Sequence, residues 1–196
     1  QYPAEFHAQT AVEAAIKLHE SVASKLEIID KIVIRTQEPA IRIISKVGKL
    51  ANAADRDHCI QYMVAVGLIF GDLIAEYYED DFHQENQLID KLRDKMIIEE
   101  DNQFSMDYLD PEKRSIANAV QVFFNDGTCS DDIQIEYPIG HKKRREEGIP
   151  LLEEKFWNNL NTCFDKDKSK LIYDLCLDQE KLEKTKVHEF MELFVK

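Results

Sequence analysis

Three groups of residues in this chain have the types and spacing that proton-transfer chemistry on an anionic substrate would use. His7 stands at the start of an apolar-periodic helical segment. Histidine is the commonest protein acid or base, because its ordinary pKa lies near physiological pH. At a helix start its neutral form is favoured and an anion can be held nearby. Asp55-Arg56-Asp57-His58 gathers four titratable groups before an apolar run, and Tyr62 follows His58 by four residues, on the same helical face. Tyr62 can serve as a proton donor or an oxyanion-hole group, with His58 as a substrate contact. The third group is His141-Lys142-Lys143-Arg144-Arg145. Arg144 and Arg145 carry the planar fork that recognises carboxylates, so a polycarboxylate is a fitting ligand.

Each group also has a structural reading. His7 can be a half-buried helix-start histidine. Asp55 and Asp57 suit helix capping and local ion pairs. Tyr62 fits a core tyrosine with its hydroxyl satisfied, and the basic run fits a solvated turn. Asp165-Lys166-Asp167 opens like a calcium loop, but Lys170 stands where glycine is needed and Cys176 where a bidentate glutamate is needed. Cys59, Cys129, Cys163 and Cys176 form no CxxC pair, so no metal site is expected from them. Free thiols suit a reducing cytoplasm or mitochondrial matrix. Nucleotide-loop and serine-elbow motifs are absent.

The elements that must position these groups follow from periodicity. Pro3 and Glu5 suit a first helical turn, and a helix is predicted from about Ala4 to Ala23. Asp57 is predicted to cap a buried helix running to about Tyr77, with Gly67 and Gly71 permitting close helix contact. A short helix is predicted over Leu88–Lys95. Strands are predicted at Lys31–Thr36, Met96–Glu100, Ala117–Asn125 and Asp132–Tyr137, sharing one sheet, with Asp126-Gly127 as a hairpin turn. Pro150 reads as the first residue of an amphipathic helix, and two surface helices are expected after Asp165. This is an α+β pattern with a small, largely antiparallel sheet.

Lys plus Arg number 25 and Asp plus Glu 38, a formal charge of −13. That balance argues against nucleic acid and anionic membranes as partners. Of it, −11 lies in Asp72–Glu112, where 14 acidic residues face 3 basic ones. The longest apolar run, Met63–Phe70, is too short to span a bilayer. The chain of 196 residues starts at Gln1 without a signal-like leader and reads as a piece of a longer protein.

Four segments in order resemble the MmgE/PrpD family: Tyr2–Ala15, Ala54–Val66, Asp107–Asn118 and Glu136–Pro150. The resemblance implies that residues 1–160 are the family's smaller, lid-like C-terminal α+β domain, with residues 161–196 a helical extension. It implies an enzyme that eliminates water from the tricarboxylate 2-methylcitrate in propionate breakdown, giving 2-methyl-cis-aconitate. No iron–sulfur cluster or other cofactor is implied. The partner would be an all-helical N-terminal domain of the same chain in a homo-oligomeric parent, in the cytoplasm or the mitochondrial matrix. His7 and Tyr62 match the family's active-site histidine and tyrosine; other catalytic residues lie in the N-terminal domain, so this chain alone is expected to be inactive. The competing readings are a non-catalytic binding module, or a sister dehydratase, isomerase or decarboxylase of the family.

Overall fold

The structure is a computed structural model and describes residues 1–195. The chain forms two compact units, residues 2–143 and Arg144 onward, each with its own buried side chains.

The first unit begins with a 3-10 turn at Phe6–Ala8, followed by α1 (Gln9–Val22). The apolar residues of α1 fall at helical spacing, so Ala11, Ala14, Ala15, Leu18 and Val22 form one buried stripe. A strand β1 (Ile29–Thr36) follows, and then α2 (Glu38–Ile44), α3 (Ala53–Arg56), α4 (Ile60–Phe70), α5 (Asp80–Glu85) and α6 (Leu88–Arg93). Next come β2 (Met96–Glu100), α7 (Asn102–Leu109), β3 (Asn118–Phe124) and β4 (Ile133–Ile135). Helix α4 is buried from Ile60 to Leu68, as its near-continuous hydrophobicity requires. It packs on α1 through Gly67, where a Cβ would come within 2.9 Å of the Ala15 Cβ.

The four strands form one sheet in the order β2-β1-β3-β4. The expected hairpin is present: β3 and β4 pair antiparallel, with Val120 opposite Ile133, and the Gly127 amide closes the turn on the Phe124 carbonyl at 3.0 Å. β1 and β3 are also antiparallel, with Ile32 opposite Val122. The other edge is parallel, with Ile32 opposite Met96. A parallel pair needs a long crossover; here five helices, α2 to α6, supply it. The α+β class therefore stands, with a mixed sheet whose antiparallel pairings outnumber the parallel one.

Two helices depart from expectation for local reasons. The helix predicted from Asp57 to Tyr77 starts at Ile60 and stops at Phe70. Asp57 closes α3 instead of capping α4. Gly71 takes a left-handed φ of 69°, which ends the helix there. The helix predicted from Ala4 starts as the 3-10 turn, because the Glu5 side chain caps it.

The second unit is helical: α8 (Arg145–Cys163), α9 (Lys166–Leu177), α10 (Gln179–Lys184) and α11 (Val187–Glu192). Pro150 lies inside α8, not at its start. It forfeits one backbone bond, while Glu146 and Glu147 in the first turn favour the helix dipole. Three helices follow Asp165 where two were expected. The extra one, α10, has almost no apolar periodicity and forms behind the Asp178 cap.

Candidate active site

His7 sits where the 3-10 turn passes into α1 and is 8% exposed. Glu5 holds it at two points. One carboxylate oxygen accepts the His7 backbone N–H at 2.8 Å, and the other lies 2.8 Å from Nδ1. On the far side of the ring, Nε2 lies 3.2 Å from the Tyr108 hydroxyl. With the Nδ1 proton facing Glu5, Nε2 accepts from Tyr108, giving a carboxylate–imidazole–phenol chain. The backbone of His7 is fixed as well: the buried Asn118 side-chain amide donates to its carbonyl at 2.8 Å and to Thr10 Oγ1 at 2.7 Å. Thr10 in turn donates to the Ile116 carbonyl at 2.6 Å. Thus α1, α7 and the start of β3 all meet at His7.

Tyr108 also lines a cavity of about 480 Å³ with Phe6, Asp110, Arg114, Ser115 and His141. His141 stacks on Tyr137 at 4.5 Å between centroids. Its Nδ1 accepts the Lys143 backbone N–H at 3.2 Å. Partial burial, reinforced by Lys142 and Lys143, lowers the His141 pKa and favours its neutral ring.

Tyr62 belongs to a different cluster. It is fully buried, and its hydroxyl donates to the Tyr77 carbonyl at 2.7 Å. It stacks on Tyr78 at 6.0 Å and meets His83 edge-on at 5.5 Å. Burial raises its pKa well above the usual tyrosine value. Beside it, the buried Arg56 donates to the Tyr78 carbonyl at 2.7 Å and pairs with Asp80. No hydrogen bond or ring contact joins Tyr62 to the His7 chain among the described residues. His58 is exposed and lies 2.6 Å from Asp57. Its segment runs beside the His7 turn, where the Glu5 amide donates to the Asp57 carbonyl at 3.4 Å. Arg144 and Arg145 lie in the second unit, where Arg144 grips Glu147 through two bonds of 2.9 and 2.7 Å.

Sequence reasoning singled out His7 but not its contacts Glu5 and Tyr108, nor the cavity-lining Arg114 and Ser115. All but Glu5 lie in the Asp107–Asn118 segment, whose motif was visible without a role. Among the described residues, no group of three or more His, Cys, Asp and Glu is placed to hold a metal ion. No helix among them is long and apolar enough to cross a membrane.

Fold and site define a mixed α+β domain that carries a carboxylate–imidazole–phenol chain at the edge of an open cavity. The chain belongs to the MmgE/PrpD family, whose C-terminal domain matches residues 2–179. It is 51% identical to the 2-methylcitrate dehydratase of Salmonella typhimurium, over 99% of this chain and 41% of that protein. It is 52% identical to the 2-methylcitrate dehydratase of Cupriavidus necator, over 98% of this chain and 40% of that protein. With the probable 2-methylcitrate dehydratase of Saccharomyces cerevisiae it shares 50% identity, over 98% and 38%. The chain thus spans about two-fifths of the length of the curated relatives it matches.

Proposed function

We propose that this chain is the C-terminal portion of a 2-methylcitrate dehydratase, a carbon–oxygen lyase, and that His7 is part of its acid–base machinery. The observation that carries the reading is the Glu5–His7–Tyr108 chain bordering the cavity. Identity near 50% to relatives bearing that name supports the substrate.

Dehydration removes a proton from carbon next to a carboxylate and expels a hydroxyl from the adjacent carbon. In this reading the Tyr108 oxygen takes the carbon-bound proton as its own phenolic proton passes to His7 Nε2. Glu5, facing Nδ1, stabilises the imidazolium so formed, as a buried carboxylate does for a catalytic histidine elsewhere. The hydroxyl leaves as water with a proton from a second acid on the remainder of the protein. That remainder is proposed as an N-terminal helical domain, and the chain alone as inactive: positioning is worth roughly 7–11 kcal/mol of barrier. Propionate breakdown is the proposed setting. The cytoplasm is the proposed compartment, or the mitochondrial matrix in a eukaryote. A relative from Yarrowia lipolytica that is 47% identical is named as mitochondrial.

The test is steady-state kinetics on the protein that includes the helical domain, following the unsaturated product by ultraviolet absorbance. His7→Ala should lower kcat by about 10²–10⁴-fold with the fold intact by circular dichroism. A kcat close to wild type would remove His7 from the chemistry.

A further inference from the structure

The segment Asp107–Arg114 and the residues after it build the wall of the cavity that Tyr108 borders. Lys113 is already committed there, to Asp107 at 2.7 Å. Arg114 is not. Its Nε donates to the Pro111 carbonyl at 3.3 Å, and no carboxylate pairs with its guanidinium among the described residues. The Asp110 carboxylate, which also lines the cavity, accepts the Glu112 amide at 2.8 Å.

Two further features point to a ligand. Arg114 has a left-handed φ of 47°, the one positive φ outside glycine among the described residues. That conformation is unfavourable for an arginine and persists only where the surroundings hold it. Its amide donates to the Asp110 carbonyl at 2.8 Å, which fixes the turn. Ser115, next in sequence and also lining the cavity, is fully buried, yet its hydroxyl has no hydrogen-bond partner. A buried hydroxyl left unpaired is costly. On the remaining side is His141, whose Nδ1 accepts from the Lys143 amide and so leaves its proton on Nε2.

We propose that Arg114, Ser115 and His141 form an anion subsite that takes a carboxylate group of a small polycarboxylic acid, with the reacting end of that acid toward Tyr108. The orientation rests on the lyase reading above; the subsite itself does not. A guanidinium fork, a hydroxyl and an imidazole N–H are together four donors, and the one carboxylate in the lining, Asp110, already accepts the Glu112 amide, so the set suits a carboxylate. The left-handed backbone turns the Arg114 side chain to this wall at a cost that a purely structural residue would not need, since glycine adopts the same φ freely.

The experiment is calorimetric titration of citrate into the 196-residue chain, in the wild type and in three variants. Wild type should bind citrate at millimolar concentration or below. Arg114→Gly should weaken binding roughly 10- to 100-fold, as loss of charge-assisted bonds does, while its melting temperature holds or rises. Arg114→Lys should retain part of the affinity, keeping charge without the fork. Ser115→Ala should weaken binding several-fold. No binding by the wild type, or equal binding by Arg114→Gly, overturns the subsite. Citrate binding through Arg114, in a protein whose complete form does not dehydrate 2-methylcitrate, supports the subsite and strikes the lyase reading alone.

Discussion

His7 and Tyr108 are 101 residues apart in the chain and 3.2 Å apart at Nε2 and the phenolic oxygen. The pair exists because α7, which carries Tyr108, follows β2 directly, and β2 lies at the edge of the sheet beside β1. Asp101 caps α7 by accepting the Gln103 amide at 2.9 Å, and so sets where the helix begins. A break in that register would swing Tyr108 away from the imidazole.

The first prediction tests this pairing. In the complete protein, Tyr108→Phe should lower kcat by about 10²-fold or more, because the group between His7 and the cavity is lost. Glu5→Gln should also lower kcat. Its amide can donate to Nδ1 and so favour the opposite tautomer, with Nε2 no longer an acceptor. Kinetics on both variants, compared with His7→Ala, decide the point. If Tyr108→Phe turns over normally, His7 meets substrate without the phenol.

The second prediction concerns the support beneath the site. Asn118 is fully buried and bridges the His7 carbonyl and Thr10. Asn118→Ala leaves those acceptors without their donor, at a cost of about 1–3 kcal/mol. Urea unfolding should show a lower midpoint with an unchanged slope. An unchanged midpoint would mean that Asn118 holds nothing in place.

How much of this was legible follows the range of the forces involved. The strands were readable because β-branched alternation and Asp126-Gly127 are local signals, and all four lie within two residues of expectation. The parallel edge was not, since nothing in Met96–Glu100 states which neighbour it will pair with. Helices α2 and α7 are short and stand on the caps Gln37 and Asp101, and α5 is short as well, so their periodicity is weak. His7 was visible from its residue type and its motif. Tyr108 was not, because an exposed-looking tyrosine in a polar helix is singled out only by its contact with a residue 101 positions away. Tyr62 was visible from its motif, but whether its hydroxyl faces a cavity or a backbone carbonyl depends on the Ala75–Tyr78 turn, whose shape the sequence does not declare.

The third prediction uses the contact between α1 and α4. Gly67→Ala normally gains about 1 kcal/mol in helix propensity. Here the new methyl meets the Ala15 Cβ at 2.9 Å, and neither group can rotate away. Overpacking of this kind costs about 1–3 kcal/mol, so the variant should be less stable despite its better propensity. Adding Ala15→Gly should restore part of the loss, a coupling that non-contacting sites do not show. A Gly67→Ala protein more stable than wild type in urea would mean that the helices separate without cost.

The last prediction is the alkaline behaviour of the Tyr62 cluster. Burial raises the pKa of both Tyr62 and Tyr78. An unfolded tyrosine ionises near pH 10. Above that pH the unfolded state has released protons that the folded state still holds, so stability falls as pH rises. The loss begins at the unfolded pKa and continues until the raised folded value is reached. Each tyrosine contributes about 1.4 kcal/mol per pH unit in that window, on the linkage relation. Tyr62→Phe removes one of the two contributions and also removes the hydroxyl bond to the Tyr77 carbonyl, worth about 1 kcal/mol. At pH 8 the variant should therefore be less stable than wild type by about 1 kcal/mol. Because wild type alone carries the Tyr62 penalty at high pH, the two curves should converge and meet near pH 11, on the same linkage slope. Urea unfolding at pH 8, 10 and 11 measures this directly. Parallel curves would show that Tyr62 ionises as readily in the fold as outside it, and its hydroxyl would then be available for chemistry after all.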